Sequence, residues 1–118
     1  MFTEHIRSVI DRVDGGIGGV LMGLDGIAVE MYMRDGASMD VNTIGMEFSF
    51  ILTQVKKAAQ ILEVGALREF SIRAEKLTLV IRMLNDEYFL AAILTAEGNF
   101  GKARYLMRLA EPRLTADL

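Results

Sequence analysis

Hydrophobic residues recur along the chain in two periods, one typical of helices and the other of strands. Apolar positions three or four residues apart predict amphipathic helices over 2–14, 41–64 and 100–111. Asn99 offers an N-cap for the last of these helices, and Pro112 is expected to close it. The chain therefore has one helix at each end and a long one near its middle.

Five shorter segments have the length and the residue types of strands. Asp25-Gly26 separates the first two and predicts a hairpin with a type I′ turn, in which both central residues need a positive φ. Asp35-Gly36 indicates a loop over 34–40, and residues 85–87 indicate a turn before the last strand. The predicted strands cover 17–24, 27–34, 67–75, 77–84 and 88–95.

The polarity of the strands predicts their order in one sheet. Segments 17–24, 77–84 and 88–95 are apolar on both faces and belong in the middle, whereas 27–34 and 67–75 are half polar and belong at the edges. The side of the second strand that is expected to be buried consists of Ile27, Val29, Met31 and Met33. Hairpin connections then give an α/β (α+β) fold with a five-stranded antiparallel sheet in the order 2-1-5-4-3. The long helix is expected on one face and the two terminal helices on the other, within a single domain, 1–118.

The long helix 41–64 is apolar on two sides. At 100° per residue one broad side is expected to cover the sheet. It consists of Ile44, Phe48, Ile51, Val55, Ala58, Ala59 and Leu62. A second side carries Met46, Phe50, Ile61 and Val64 beside Lys57. One apolar side is enough to dock a helix on a sheet, so the second predicts contact with another subunit or, alternatively, with the protein's own loops.

Composition and charge exclude several classes of function. The chain has 118 residues, a net charge of −3 and no cysteine, which argues against nucleic acid or an anionic membrane as partner and excludes thiolate metal sites. The N-terminal region lacks the apolar stretch of a signal peptide, and no segment is long and apolar enough to cross a bilayer. Neither a metal nor a cofactor is expected, and the predicted location is the cytoplasm.

No catalytic motif is found in the sequence. The glycines at 15, 16, 18 and 19 precede a strand and do not form a dinucleotide or phosphate-binding loop, so helix termination and close helix packing explain them better. His5 has no second histidine or cysteine to assist it, and a solvated helix position is the simpler interpretation. Solvation also explains Glu30, Asp35, Asp40 and Glu47 better than metal binding does. The protein is therefore not expected to be an enzyme.

Three segments together resemble the roadblock/LC7 family. They are GGIGGVLMGLDGIAVE (15–30), LREFSIRAEKLTLVIRMLNDEYFLAAIL (67–94) and GNFGKARYLMRLA (98–110), in the order α-β-β-α-β-β-β-α. Members of this family serve as dynein light chains, as scaffolds for Rag GTPases or, in bacteria, as partners of Ras-like GTPases in motility and cell polarity. The chain is most similar to the short bacterial MglB/MglC-type members. The resemblance implies an adaptor that binds a small GTPase or the roadblock protein that activates one.

Two sets of residues are candidates for protein contacts. The first is the partner-binding set Leu24, Asp25 and Ile27 at the first hairpin, although Asp25 could serve the turn geometry alone. The second is a homodimer interface in which the long helix packs on its symmetry mate and strand 67–75 pairs across the two-fold axis. It consists of Met46, Phe50, Lys57, Ile61, Phe70 and Ile72.

The alternative function is a small-molecule sensor of the PAS or profilin type. Such a domain needs polar groups that converge in a buried cavity. The two most apolar strands offer only Arg82 and the Tyr88 hydroxyl for that purpose.

Overall fold

The computed structural model describes residues 2–37 and 39–118, where three helices flank a five-stranded antiparallel sheet. The helices are α1 (Phe2–Asp11), α2 (Val41–Leu62) and α3 (Phe100–Thr115). The strands are β1 (Gly16–Gly23), β2 (Ala28–Met33), β3 (Glu69–Arg73), β4 (Thr78–Met83) and β5 (Tyr88–Leu94). Their order, β2-β1-β5-β4-β3, confirms the predicted sheet. The predicted loop 34–40 includes Ser38, which lies outside the described residues.

A separate apolar core fills each face of the sheet. On one face α1 and α3 pack against side chains that include Leu21, Val80 and Leu90. On the other face α2 covers Val20, Met22 and other side chains of β1, β4 and β5. Helices cover both faces, as the sequence predicts, and this explains why the three middle strands are apolar on both sides.

The glycines of β1 allow α1 to approach the sheet closely. A Cβ on Gly16 would collide with the carbonyl oxygen of Ile10, and one on Gly19 would lie 2.8 Å from Ile6 Cγ2. The φ of Gly15 is +85°, which suits the turn that ends the helix. The predicted role of this glycine cluster in close helix packing is confirmed, whereas α1 ends at Asp11, before the predicted end at residue 14 and the glycines that follow it.

The predicted sheet-facing side of α2 is wrong by roughly 80° of rotation at 100° per residue. The fully covered positions are Val41, Gly45, Ser49 and Leu52. Within the predicted side, Ile44, Phe48, Val55 and Ala59 are only partly buried, and Ile51, Ala58 and Leu62 are exposed. Small residues at 45 and 49 let the helix sit close to β1, so contact distance and not side-chain hydrophobicity sets its orientation.

The predicted buried side of β2 is also wrong. Ile27 is 68% exposed, and Val29, Met31 and Met33 are each more than a third exposed. Met31 and Met33 pair with Val20 and Gly18, so their side chains point to the α2 face of the sheet. They remain exposed because they lie on the edge strand, whereas α2 packs most closely on β1.

The β1–β2 hairpin is present, but its turn is not of type I′. Only Gly26 has a positive φ, +83°, and Asp25 does not. The Gly26 amide donates to the Gly23 carbonyl at 2.9 Å, and the Gly23 amide donates to Ile27 at 3.0 Å. This pattern is a three-residue loop in which a left-handed glycine follows an ordinary turn.

Helix α3 starts where predicted but continues past Pro112. The Asn99 side chain accepts from the Lys102 amide at 3.1 Å, which confirms the N-cap. The helix nevertheless runs to Thr115, and Leu114 in its last turn is fully buried in the core shared with α1. Burial of Leu114 holds the last turn in place although proline cannot donate a backbone hydrogen bond.

Candidate protein interface

The outer side of α2 is an exposed apolar surface. Phe50 is 71% exposed, Ile61 81% and Leu62 69%, and Met46 is half exposed. Met46 and Phe50 lie on successive turns, and Ile61 and Leu62 lie about three turns further along the same helix. The structure thus brings together the predicted residues Met46, Phe50 and Ile61 on this side, with exposed Lys57 among them. We call this side of α2, with Ile51 and Leu62, the outer face.

Ile51 and Leu62 enlarge the outer face beyond its prediction, which already included Val64. Val64 is 71% exposed just beyond the helix, and Ile51 borders Phe50. The sequence placed Ile51 and Leu62 against the sheet because hydrophobicity alone defined that side. Gly45 was the residue that could have indicated which side of α2 faces the sheet, since a helix often makes its closest contact at a residue without a side chain.

Both ends of α2 are capped, which fixes where the outer face begins and ends. Asp40 Oδ1 accepts from the amides of Asn42 and Thr43, and Oδ2 accepts from the Thr43 hydroxyl at 2.7 Å. The hydrogen bond from the Thr43 hydroxyl, with the two amide bonds, holds the pKa of Asp40 below its ordinary value. At the other end Glu63 adopts a left-handed conformation with φ +56°, and its amide donates to Gln60.

Strand β3 is the open edge of the sheet on the side opposite β2. Phe70 and Ile72 pair with Ile81 and Leu79, so they point to the α2 face, where both are partly buried. The structure therefore places these two predicted interface residues on the same face of the sheet as α2. The edge itself pairs with no other strand within residues 2–37 and 39–118.

The opposite side of β3 carries a network of charges. Glu69 accepts from Arg104 at 2.6 and 2.8 Å and lies 3.9 Å from Arg82, which also pairs with Glu111. The hydrogen bond to Glu69 raises the pKa of Arg104 above its already high value. This network ties the edge strand to α3 and keeps Glu69 in a defined position.

The hairpin residues divide into one exposed and one anchored apolar side chain. Ile27 is open to solvent, whereas Leu24 is partly buried against the core beneath α2, and its amide donates to Glu87 at 2.8 Å. Asp25 is exposed, and its Oδ1 accepts from the Ile27 amide at 3.0 Å. Asp25 thus supports the turn, and Ile27 is the apolar side chain that this hairpin exposes to solvent.

The two polar side chains of the sensor alternative do not converge. Arg82 lines a cleft beside Glu69 and Arg108, whereas Tyr88 lines a different one beside Leu24 and Asp86. A third cleft of about 390 Å³ lies between the end of α2 and the β4–β5 turn, where the Lys56 amine donates to the Asp86 carbonyl at 2.8 Å. This arrangement does not favour a ligand pocket within the sheet.

The described residues offer neither a metal-binding cluster nor a membrane-spanning helix. Within residues 2–37 and 39–118 no three histidine or acidic side chains are close enough to hold a metal ion. The same ranges contain no helix whose length and apolar character would let it cross a bilayer. The exposed apolar surfaces are thus the most distinctive features of this part of the chain.

Comparison with solved structures decides the family. The crystal structure of MglC from Myxococcus xanthus is 39% identical in sequence, covers 99% of this chain and 98% of its own, and superposes with a TM-score of 0.72. The chain belongs to the roadblock/LC7 family. This roadblock protein resembles MglC in sequence along nearly its full length, as the three segments quoted above predict.

Two further structures share the roadblock fold at low sequence identity. The roadblock/LC7 domain from Streptomyces avermitilis is 16% identical, covers 97% of this chain and 94% of its own, and has a TM-score of 0.83. The gliding protein MglB from Thermus thermophilus is 15% identical, covers 97% and 88%, and has a TM-score of 0.81. A scan against family models and a search of curated proteins each find no match to this roadblock protein.

Proposed function

We propose that this protein is a non-catalytic, homodimeric adaptor that regulates a Ras-like small GTPase of the bacterial motility and polarity type. It would act in the cytoplasm and bind either the GTPase or the roadblock protein that activates it. The observation that carries the proposal is the exposed outer face of α2 in a chain that is 39% identical to MglC. An apolar surface of this kind marks a protein contact and not a catalytic site.

The outer face of α2 supports packing against the same helix of a second copy. Phe50 and Ile61 lie about three turns apart on one side of α2, and packing this side of two copies about a two-fold axis lets each side chain contact the symmetry-related helix. Burying one phenylalanine side chain stabilises a complex by roughly 1.5–3 kcal/mol, and symmetry doubles the contribution. Lys57 lies beside this contact and leaves its rim polar.

The edge strand β3 supports the same two-fold arrangement. The Ala74 amide donates to Leu77 and the Met83 amide to Arg68, so the backbone groups of Glu69, Ser71 and Arg73 point away from β4. Antiparallel pairing of two β3 strands about Ser71 would place Glu69 opposite the partner's Arg73. It would also place Phe70 beside the partner's Ile72. The edge is therefore self-complementary in both charge and hydrophobicity.

The β1–β2 hairpin supports a separate partner surface. Leu24, Asp25 and Ile27 lie at the edge of the sheet farthest from β3, so a dimer formed through β3 and α2 leaves them free. In the proposed contact Ile27 inserts into the partner, while Leu24 and Asp25 hold the turn in shape. Any effect on GTP hydrolysis would come from positioning groups of the GTPase, because the glycines of β1 serve helix packing and not phosphate binding.

The proposal is tested by capture of partners from native cells with the tagged full-length protein. We expect a Ras-like GTPase or an MglB-type roadblock protein to co-purify. An Ile27→Ser variant should bind that partner about tenfold more weakly, because an apolar anchor is lost from the contact. Leu109→Ser is the matched control, since Leu109 is also an exposed apolar residue but lies on α3.

The same tagged protein distinguishes the adaptor function from other functions. Recovery of neither a GTPase nor a roadblock protein from cells that contain both would overturn the proposed function. Equal binding by the Ile27→Ser and Leu109→Ser variants would show that the hairpin is not the contact. Titration of the purified protein with GTP in a calorimeter should give no binding heat.

A further inference from the structure

The outer edge of β2 has free backbone groups. The Arg34 amide donates to the Ile17 carbonyl, so the alternation of an antiparallel ladder turns the amides and carbonyls of Met31 and Met33 away from β1. No strand pairs with this edge within the described ranges. An open edge of this kind can accept an added strand from another chain.

One of these free groups is covered by a neighbouring side chain. The Met31 amide donates to Oε1 of Glu30 at 3.1 Å, a contact between adjacent residues at the surface. A charged side chain that covers its own strand edge is a common protection against unwanted pairing. An incoming strand would have to displace this carboxylate, and a positive charge opposite Glu30 would compensate for the lost hydrogen bond.

An apolar row accompanies the free edge on the α2 face. Met31 and Met33 pair with Val20 and Gly18 and remain more than a third exposed. Methionine side chains adapt readily to different partners, so this row suits a second apolar strand.

The charge around this edge specifies the kind of strand that fits. Residues 25–40 hold four carboxylates and one guanidinium, an excess of three negative charges that equals the net charge of the whole chain. The single guanidinium, of Arg34, lies 3.7 Å from Asp11 and so is already paired. A second copy of β2 would bring the same acidic excess to this edge, so a positively charged segment fits it better than a copy of the same chain.

We infer that the β2 edge binds an extended segment of the partner protein, with alternating apolar and basic residues, as a sixth strand. The inference rests on the proposed adaptor function and extends its hairpin contact along the neighbouring edge. Residues of the segment opposite Met31 and Met33 lie on the α2 face and are apolar. Those opposite Glu30 and Tyr32 lie on the other face, where the Glu30 carboxylate provides the negative charge, since Asp11 already pairs with Arg34.

Amide hydrogen exchange of the full-length protein tests this directly. The probe is a nine-residue peptide of alternating lysine and valine with blocked termini, and a glutamate–valine peptide of equal length is its control. We expect the lysine–valine peptide to slow exchange at the Met31 and Met33 amides at least tenfold. The glutamate–valine peptide and a lysine–valine peptide N-methylated at alternate residues should leave these amides unchanged. Absence of protection by the first peptide, or equal protection by all three, overturns the inference.

A proline variant provides a second test with the protein partner. Met31→Pro removes a donor that the protein's own ladder does not use, and Met31→Leu keeps it. We expect the proline variant to bind the co-purified partner at least tenfold more weakly and the leucine variant to bind like wild type. Normal binding by a folded Met31→Pro variant would overturn the inference that the partner adds a strand to β2. The proposed adaptor function would not be affected. If this variant does not fold, the exchange measurement on the wild-type protein decides.

Discussion

Gly45 of α2 lies directly over Met22 of β1. A Cβ on Gly45 would lie 2.9 Å from Met22 Cε and 3.1 Å from Val20 Cγ1, closer than side chains normally approach. The absence of a side chain at 45 therefore lets the helix axis come near the sheet. This contact also turns the bulky residues Phe50 and Ile51 outward, so one glycine connects core packing to the exposed outer face.

Gly45→Leu should destabilise the protein by about 1–3 kcal/mol, because the added side chain overpacks the core beneath α2. The free energy of unfolding is measured by urea denaturation. Gly101→Ala is the control, since a Cβ there meets only Asn99 Oδ1 at 4.0 Å. It should leave stability unchanged or raise it slightly. A Gly45→Leu variant as stable as wild type would contradict the close contact of helix and sheet.

The sequence predicts the elements and the sheet order because these depend on local periodicity and on hairpin connections. It does not predict which side of α2 faces the sheet. Ile51 and Leu62 are as hydrophobic as the residues that are buried, and the close approach at Gly45 outweighs the hydrophobic pattern. Phe50 and Ile61 point away from the sheet, as the sequence predicts, because they lie almost opposite Gly45 on the helical wheel.

The error in β2 has a similar origin. Alternation shows that Met31 and Met33 share a side, but it cannot show that α2 leaves the edge strand uncovered. The pairing also shifts by one residue between Leu21 and Met22, where β2 is irregular around Val29. A shift of this kind changes which side chains face the core and has no signature in composition. The sequence therefore indicates the hairpin as a candidate contact but does not indicate the neighbouring edge of β2.

Asp40→Asn should reduce the loss of stability at acid pH. The folded-state pKa of Asp40 lies below its unfolded value, so its contribution to stability is present above that unfolded value. It is lost as the pH falls through about 4 and below. Asparagine also caps helices well but does not titrate. The difference in urea midpoint between pH 7 and pH 3 should thus be smaller in Asp40→Asn than in wild type. Asp86→Asn, in the β4–β5 turn, is the control, and equal acid sensitivity in all three proteins would contradict the assignment.

The register of the proposed β3 pairing predicts a charge effect on dimerisation. Arg73→Glu would place a carboxylate opposite Glu69 twice in each dimer, and each cross-strand charge pair contributes roughly 0.2–1 kcal/mol. The dimer dissociation constant should therefore rise about tenfold, and less at high salt. Lys76→Glu makes the same charge change in the turn after β3, outside the pairing, and should have little effect. Equal effects of the two variants would rule out a register centred on Ser71.

The outer face of α2 makes the strongest prediction about association. We expect the wild-type protein to be a dimer at tens of micromolar and a Phe50→Glu variant to be monomeric or poorly soluble. Phe50 is 71% exposed in the single chain, and burial against a second copy would make it a dry contact near the axis. Two carboxylates placed there would lose hydration and repel each other, and both effects oppose association. Sedimentation equilibrium measures the mass, and Tyr105→Glu, at an exposed aromatic residue on α3, should remain dimeric. If the wild-type protein is monomeric, the dimer part of the proposed function is wrong. If the Phe50→Glu variant is dimeric and soluble, the interface does not lie on the outer face of α2.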